Sequence, residues 1–265
     1  MSATRIPRPT RPTRTITAVL SALPEEQEGL IALLQNPRKT DHAGRSFWHG
    51  DLHGQPVVLA LSRIGKVAAA TTATALIERF GVGRIVFTGV AGGLGAGVNV
   101  GDVVLADDFV QHDMDASPLF PRYEVPLYGQ RRFRADPELT ALLHQAASTA
   151  LQHINDGENP WAFPDACVHR GLVASGDRFV SGAKEAQQLQ SALQAAGLAV
   201  LAVEMEGAAI AQVCLDYGLP FAAVRTISDR ADDTAHVDFP VFVREVASYY
   251  ARTVVWKFLQ LLPNQ

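Results

Sequence analysis

Residues 202–229 place several carboxylates beside two apolar runs. The acids of this segment are Glu204, Glu206, Asp216 and Asp229. The run 198–203 is predicted as a buried strand, and the run 221–227 as a second strand that leads into Ser228-Asp229. Carboxylates avoid the ends of buried strands unless a ligand or a cation uses them. The pattern therefore indicates a site that handles sugar hydroxyls and protons.

Each of these acids also has a simpler structural interpretation. Glu204 and Glu206 share one face of the chain, because side chains alternate along a strand. Either both face solvent, or one binds a ligand while the other meets a cation. Asp229 after Ser228 is equally compatible with a turn cap. Upstream, Glu25-Glu26 follow a predicted strand, and acids there also match the positive end of a helix.

Composition limits the class of protein. The chain has 265 residues, 48% hydrophobic and 8% aromatic, which fits a layered α/β enzyme. No apolar stretch has the length of a membrane span, so no membrane partner is expected. Cys167 and Cys214 lack metal-type spacing and are expected to be reduced thiols, which favours a cytoplasmic protein.

The charge is unevenly distributed along the chain. Residues 1–14 contain four arginines and no acid, and they are rich in proline. We expect this segment to be a disordered basic tail, with a nucleic-acid or membrane arm as the alternative. The formal net charge of the whole chain is −4, so the rest is clearly acidic. An acidic body argues against nucleic acid as the main partner.

Strand and helix signals alternate from residue 15 to the end, without an internal repeat or linker. This order predicts one domain, residues 15–265, with a central mixed sheet flanked by helices in three α/β/α layers. Predicted strands cover 15–21, 56–61, 84–88, 102–110, 168–175, 198–203 and 221–227. Predicted helices cover 24–34, 67–80, 137–151, 183–196, 207–215 and 239–262, with Asp136 as the cap of the third. The remaining segments are a hairpin at 36–54, a functional or interface loop at 116–134, and a surface insertion at 153–166.

The glycine-rich turn 89–97 does not match the dinucleotide fingerprint G-x-G-x-x-G. Counted from Gly95, the pattern requires a glycine at position 100, where this chain has Val100. The segment 64–67 also lacks the residues of a P-loop. A tight turn and a ligand cradle remain equally compatible with these glycines. No cofactor is expected, and an NAD-dependent oxidoreductase is disfavoured.

A metal site is a weak alternative at the end of the predicted strand 102–110. His112, Asp113 and Asp115 supply one histidine and two spaced acids, which is a poor match to metal-ligand spacing. We expect a hydrogen-bonded structural cluster there, and no metal. His49 and His53 lie in the predicted hairpin and are given no functional role.

Six motifs in order carry a resemblance to a known family. They are ALPEEQEGL at 22–30, IGKVAAA at 64–70, TGVAGGLGAGVNVGDVV at 88–104, SGDRFVSG at 175–182, VEMEGAAIAQV at 203–213 and VRTISDRAD at 224–232. Together they resemble the nucleoside phosphorylase/nucleosidase superfamily, most closely its 5′-methylthioadenosine/S-adenosylhomocysteine nucleosidases. The resemblance extends over residues 15–262. It implies a homodimeric enzyme that hydrolyses a 5′-substituted adenine nucleoside to adenine and the free thio-ribose.

The resemblance implies a catalytic role for three residues. Such enzymes break an N-glycosidic bond through an oxocarbenium-like transition state. Glu26 closes the A-x-x-E-E pattern and would deprotonate the attacking water. Asp229 would protonate adenine at N7, and Ser228 would orient Asp229. This role requires a partly protonated Asp229, so an apolar or electrostatically crowded environment is expected around it.

The resemblance also implies the residues that hold the substrate. Glu206 would accept hydrogen bonds from both ribose hydroxyls, with Met205 against the sugar. Phe179 would stack on the purine, and the main chain of Val180 would contact its edge. The remaining implied contacts are the turn residues Val90, Ala91 and Gly92, Arg225, and Ile64 with Tyr123 around the 5′-group, the tyrosine coming from across a dimer interface.

Two departures from the family pattern bear on specificity. Val90 replaces a small hydroxyl residue that helps to hold water in many members, which leaves water placement to Glu26, Arg225 and backbone groups. The segments 116–134 and 153–166 match poorly, so the 5′-group could be methylthio, homocysteinyl, deoxy or a larger futalosine-type group.

Two other functions stay open. A purine nucleoside phosphorylase needs cations for phosphate, whereas this chain has Phe87-Thr88 before the glycine-rich turn and two glutamates in the early loop. That charge distribution favours water over phosphate. A non-catalytic nucleoside-binding or storage protein would be expected to lose at least one of Glu26, Glu206 and Asp229, and all three are present.

Overall fold

The computed structural model describes residues 14–156, 162–232 and 235–263, without the side chains of 236–238. The predicted tail, residues 1–14, lies outside this part except for Arg14. The strands are β1 Thr17–Ser21, β2 Gln35–His42, β3 Arg45–Leu52, β4 Gln55–Leu61, β5 Arg84–Gly93, β6 Val103–Gln111, β7 Phe133–Arg134, β8 Val168–Ser175, β9 Val200–Glu204 and β10 Phe221–Asp229. The α-helices are α1 Pro24–Ile31, α2 Lys66–Phe80, α3 Pro137–Asn155, α4 Ala183–Ala195, α5 Gly207–Tyr217, α6 Ala235–Phe242 and α7 Ser248–Leu261.

The strands form one mixed sheet, as predicted. Strand β1 lies between β4 and β5 and is parallel to both, and β2, β3 and β4 form an antiparallel meander. Five strands also pair in a closed circuit, β5–β10–β6–β8–β9 and back to β5. The last step is short, with Gly92 opposite Val203 and Gly93 opposite Ala202. The sequence did not predict this closure, which removes two potential sheet edges.

Helices cover both faces of the sheet, which confirms the three-layer α/β/α arrangement. Helices α2 and α5 bury Leu76 and Ile210 in one core, together with alternate residues of the central strands. Helices α3 and α7 bury Leu143 and Val255 in the core on the other face. Each fully buried side chain of this kind stabilises the fold by about 1.5–3 kcal/mol. The sheet is thus a rigid platform for side chains at the strand ends.

Several boundaries differ from the prediction. The first half of the glycine-rich turn is strand, because β5 continues to Gly93. The predicted hairpin contains two eight-residue strands, β2 and β3. The C-terminal helix begins four residues earlier, at Ala235, and passes through a π-helical turn at Val243–Ala247 before α7. The long loop 116–134 is confirmed, apart from β7 at its end.

The prediction of a surface insertion at 153–166 is wrong at both ends. Helix α3 extends through Asn155, while residues 157–161 lie outside the described part. Phe163 packs beside Phe242 and Tyr250 in the core. A Cβ at Gly101, whose φ is +89°, would lie 2.3 Å from the Phe163 ring. Glycine is therefore required at 101 on two counts, its left-handed backbone and this close approach.

Caps define where helices begin. The Asp136 carboxylate accepts a 2.9 Å hydrogen bond from Leu139 N, and Pro137 occupies the first turn of α3, so the predicted cap is confirmed. Gly65, at φ +94°, turns the chain from β4 into α2. Within the described ranges, no helix combines the length and apolar character that a bilayer crossing requires.

Candidate active site

A cavity of about 280 Å³ lies where strand ends of the sheet meet. Its wall is formed by residues that follow β1, β4, β8 and β9, by the ends of β5, β9 and β10, and by α6. The lining residues are Ala22, Leu23, Glu26, Ile64, Val90, Ala91, Gly92, Phe179, Val203, Glu204, Met205, Glu206, Arg225, Asp229 and Phe239. The volume is near the lower end of the range of ligand pockets, about 300–1,000 Å³. One small molecule fits such a site.

Glu26 lies in the first turn of α1 and is 1% exposed. One carboxylate oxygen, Oε2, accepts hydrogen bonds from Ala22 N and Leu23 N at 2.8 and 3.0 Å. The other, Oε1, accepts one from Val90 N at 3.1 Å. Burial raises the pKa of the Glu26 carboxyl, although these hydrogen bonds and the Arg225 charge act in the opposite direction. The carboxylate therefore caps its own helix and faces the cavity, so the two interpretations of Glu26 are compatible.

Glu204 and Arg225 form a buried ion pair at the base of the cavity. Arg225 Nη2 lies 2.6 Å from Glu204 Oε2, and both side chains are at most 2% exposed. The guanidinium also stacks on Phe87, with its central carbon 3.6 Å from the ring centroid. Glu204 accepts further bonds from Ser175 Oγ and from the backbone N–H groups at the start of α5. The second interpretation of the Glu204/Glu206 pattern is thus correct for Glu204, which meets a cation.

Glu206 precedes α5 and is 5% exposed. Its Oε1 accepts a 2.8 Å hydrogen bond from Gly65 N, which connects the start of α5 to the start of α2. Burial raises the pKa of Glu206 to about 8, and the neighbouring Glu204 charge adds to the rise. Arg225 and the Gly65 hydrogen bond counteract this rise in part. The fold therefore holds the proton of the Glu206 carboxyl more tightly than water does.

Asp229 is the last residue of β10 and is 1% exposed. Its Oδ2 accepts a 2.8 Å hydrogen bond from Ser228 Oγ, and its Oδ1 accepts one of 2.8 Å from Ala231 N. A Cβ at Gly92, opposite Asp229 in the sheet, would lie 3.0 Å from that Oδ1. Glycine at 92 thus lets the carboxylate lie against the backbone of β5. The Ser228 hydroxyl thus contacts the Asp229 carboxyl directly.

Apolar side chains form the walls of the cavity. Phe179 is 41% exposed, and its ring meets Phe239 edge-on at a centroid distance of 5.4 Å. Ile64 is 57% exposed at the mouth. A smaller adjoining cavity is lined by Val180 together with Met205 and other residues of the main one. The cavity wall thus combines two aromatic rings with four carboxyl groups. This combination suits a ligand with an apolar and a hydroxyl-rich part.

Three predicted site residues do not line the main cavity: Ser228, Val180, which lines the adjoining one, and Tyr123. Tyr123 lines neither cavity. It is 2% exposed and packs with Val110 and Val180 in a separate apolar cluster. Arg122 lies over its ring at 4.9 Å. The prediction placed this residue across a dimer interface, and one chain does not test that.

Hydrogen bonds join the loop after β8 to the start of α2. Lys66 N donates to Asp177 Oδ1 at 2.7 Å, and Asp177 N donates to Asp113 at 2.9 Å. Lys66 Nζ closes the loop with a 2.5 Å ion pair to Asp113. Of the predicted cluster of His112, Asp113 and Asp115, only Asp113 joins this network, whereas Asp115 accepts a hydrogen bond from Ser117 N and His112 Nε2 has no hydrogen-bond partner within the described part of the chain. The described residues contain no group of three metal-type ligands.

Five lining residues have no role predicted from the sequence: Ala22, Leu23, Val203, Glu204 and Phe239. Glu204 was left open because its partner Arg225 is distant in sequence and lies inside a strand. Phe239 is predicted only as part of a covering helix, and the structure places its ring against Phe179. Asp216 is exposed and accepts hydrogen bonds from Tyr128 Oη, so it is not part of the site.

Comparison with known proteins agrees with this geometry. A 5′-methylthioadenosine/S-adenosylhomocysteine nucleosidase from Anoxybacillus flavithermus is 35% identical over 248 residues, which cover 94% of this chain and 97% of that protein. The nucleosidase of the same name from Neisseria meningitidis, solved with methylthio-immucillin-A, superimposes with a TM-score of 0.82 at 34% identity, covering 94% of this chain and 100% of that one. A futalosine hydrolase of Helicobacter pylori gives a TM-score of 0.80 at 30% identity, over 93% and 98% of the two chains.

A family model also matches nearly the whole chain. The model of the phosphorylase superfamily covers residues 16–260, from the first strand to the end of the last helix. This range contains every residue of the cavity wall. The chain belongs to the phosphorylase superfamily.

Proposed function

We propose that this protein hydrolyses the N-glycosidic bond of 5′-methylthioadenosine and S-adenosylhomocysteine, giving adenine and the free thio-ribose. The observation that carries the proposal is the convergence of Glu26, Glu206 and Asp229, all at most 5% exposed, on one cavity. Two of the similar proteins above are nucleosidases named for these substrates. A non-catalytic binding protein has no need to keep three buried carboxylates at a cost in stability.

Glu26 is the proposed base for the attacking water. Its three backbone hydrogen bonds fix the orientation of the carboxylate, and burial raises its pKa toward the range of a useful base. Arg225 approaches the same carboxylate, since a Cβ at Gly89 would lie 2.5 Å from Arg225 Nη1 and 2.9 Å from Glu26 Oε1. Water is therefore held by Glu26, Arg225 and backbone groups, and the hydroxyl that Val90 lacks is not needed.

Glu206 and Asp229 act on the two halves of the nucleoside. Glu206 binds the 2′- and 3′-hydroxyls with Met205 packed against the sugar. Asp229, oriented by Ser228, supplies the proton that adenine N7 gains as the bond breaks. Phe179 stacks on the purine, and the backbone at Val180 contacts its edge. Ala91 and Gly92 leave room for the ligand beside β5.

The charge around the cavity supports water over phosphate as the nucleophile. Of the described lining residues, four are acids and Arg225 alone is a cation. The charge of Arg225 is already balanced by Glu204 at 2.6 Å. A phosphate dianion entering this site would meet the Glu26 carboxylate without an unpaired cation to offset the repulsion. Hydrolysis is thus the better match than phosphorolysis.

The 5′-group and the assembly are finer parts of the same proposal. Ile64 lines the 5′-pocket, and the loop around Tyr123 completes it from the second copy of a homodimer. The domain spans residues 15–265. Both cysteines are free, and a reducing cytoplasm would keep them so.

One assay tests the reaction and separates it from the phosphorylase alternative. The protein is incubated with 5′-methylthioadenosine, with and without phosphate, and the sugar product is identified. We expect free methylthioribose and adenine at equal rates in both reactions. A sugar 1-phosphate that forms only with phosphate would show a phosphorylase instead. Futalosine is tested in parallel, because a hydrolase of that substrate shares the fold at a similar TM-score.

A further inference from the structure

A second polar cavity, of about 430 Å³, lies on the other side of helix α1 from the nucleoside site. Consecutive residues separate the two: Glu26 lines the nucleoside cavity, and Gln27 lines the second one. In the same way Ile64 lines the first cavity and Arg63 the second. At these two places, neighbouring residues of the chain therefore line different cavities.

The second cavity concentrates positive charge. Lys39, Arg45 and Arg63 line it, against a single acid, Glu28. Neither arginine has an ion-pair partner among the described residues, and Lys39 meets only the well-exposed Asp41, at 3.4 Å. Cations that share one concave surface attract anions and raise their local concentration.

The two arginines converge on the turn between β2 and β3. Arg45 Nη1 donates to Ala43 O, and Arg63 Nη2 donates to Gly44 O. Burial, and then the Arg63 charge, lower the pKa of the Arg45 guanidinium. The pair is therefore mutually repulsive, and backbone carbonyls alone hold it.

Two further donors near this cavity lack acceptors. Gln27 is 3% exposed, and its Nε2 has no hydrogen-bond partner. Arg45 Nε is enclosed and lacks one as well. A buried donor without an acceptor is costly, and a bound water or ion is a usual explanation. The Trp48 ring adds a flat apolar wall, with Lys39 Nζ 5.9 Å from its centroid.

We propose that this cavity binds a tetrahedral oxyanion, either free phosphate or the phosphoryl group of a nucleotide. A guanidinium group can donate two parallel hydrogen bonds to phosphate oxygens. Arg45 and Arg63, which meet at one turn, provide two such groups. A dianion would offset the repulsion between Arg45 and Arg63. This site is separate from the nucleoside cavity and does not depend on the proposed hydrolase activity.

Isothermal titration with potassium phosphate, against potassium chloride at equal ionic strength, tests the proposal. The variant is Arg63→Asn, since asparagine tolerates the left-handed φ of 64° at this position. Arg38→Asn is the matched control. It also removes one arginine charge, but Arg38 lies in β2 and lines a different groove. Phosphate is expected to bind wild type and Arg38→Asn equally, and Arg63→Asn about tenfold or more weakly.

Two results would overturn the proposal: no phosphate binding above chloride in wild type, or equal binding in Arg63→Asn. Unchanged far-UV circular dichroism and nucleoside turnover exclude misfolding of that variant. Lys39→Gln, at an exposed residue, is a second variant and should weaken binding by a smaller factor. Cytidine 5′-monophosphate distinguishes the source of the anion. Tighter binding than phosphate indicates a nucleotide whose base lies on Trp48, and equal or weaker binding indicates free phosphate.

Discussion

Arg225 Nη2 lies 2.6 Å from Glu204 Oε2, and at most 2% of either side chain is exposed. This pair joins the interior of β10 to the end of β9. It lies in the same cavity wall as the carboxylates proposed to act on substrate. It also cancels the only positive charge among the described residues of the cavity wall. The charge balance that favours water over phosphate therefore depends on a contact between two residues that do not themselves react.

Breaking this pair on one side should destabilise the protein strongly. Glu204→Gln or Arg225→Met leaves one uncompensated buried charge, which costs about 3–5 kcal/mol. The double variant should lose less than the sum of the two, because neither charge then remains. Urea denaturation measures all three free energies of unfolding. Asp107→Asn is the control, since it breaks the exposed 2.6 Å pair with Arg170 and should cost about 0–1 kcal/mol. Additive losses in the double variant would contradict the coupling.

Glu26→Gln should abolish most turnover while the protein stays folded. Glutamine keeps an oxygen acceptor for the backbone donors but cannot take a proton from water, so kcat should fall about 10²–10⁴-fold. Steady-state kinetics with 5′-methylthioadenosine measures the loss. The neighbouring Glu25→Gln removes an equal charge from the same helix turn and should keep near-normal kcat. Similar losses in both variants would argue that helix capping, rather than proton transfer, explains the effect.

Asp229→Asn should separate catalysis from binding. The amide keeps the size of the side chain but lacks the transferable proton, so turnover should fall severely while nucleoside binding largely survives. Single-turnover kinetics and titration with a non-hydrolysable adenosine analogue measure the two properties. Ser228→Ala removes the 2.8 Å hydrogen bond to Asp229 and should have a smaller effect on kcat. Near-normal turnover in Asp229→Asn would remove this residue from its proposed role.

The three carboxylates proposed to act on substrate were predictable from the sequence because each stands in a recognisable local context. Glu206 and Asp229 stand beside apolar strands, and Glu26 stands in the first turn of a helix that Pro24 opens. These signals are local, and the structure brings the three together. The family pattern then assigned their roles, which spacing alone did not supply.

The contacts that the sequence did not predict join residues that are far apart in the chain. The Glu204–Arg225 contact and the β5–β9 closure join segments far apart in sequence, and no local pattern encodes either partner. Phe239 lies in α6, and its ring meets Phe179, which follows β8 some sixty residues earlier in the chain. Phe163 resembled part of a polar loop, although it fills the space that Gly101 leaves open.

Glu206 should make stability fall as pH rises. Its pKa is raised from 4.5 to about 8 by burial and by Glu204, so the folded state holds this proton more tightly than the unfolded chain. The resulting stabilisation is complete below the unfolded pKa and is lost as pH rises through the folded one. Glu206→Gln keeps the acceptor for Gly65 N but does not titrate.

Wild type should therefore lose stability relative to Glu206→Gln between about pH 5 and pH 8, and by pH 9 the variant should be more stable by on the order of a few kcal/mol. Urea denaturation across this range measures the difference. Asp216→Asn, at an exposed acid, is the control and should run parallel to wild type. Parallel curves for wild type and Glu206→Gln would mean that the carboxylate ionises in the fold as easily as in the unfolded chain.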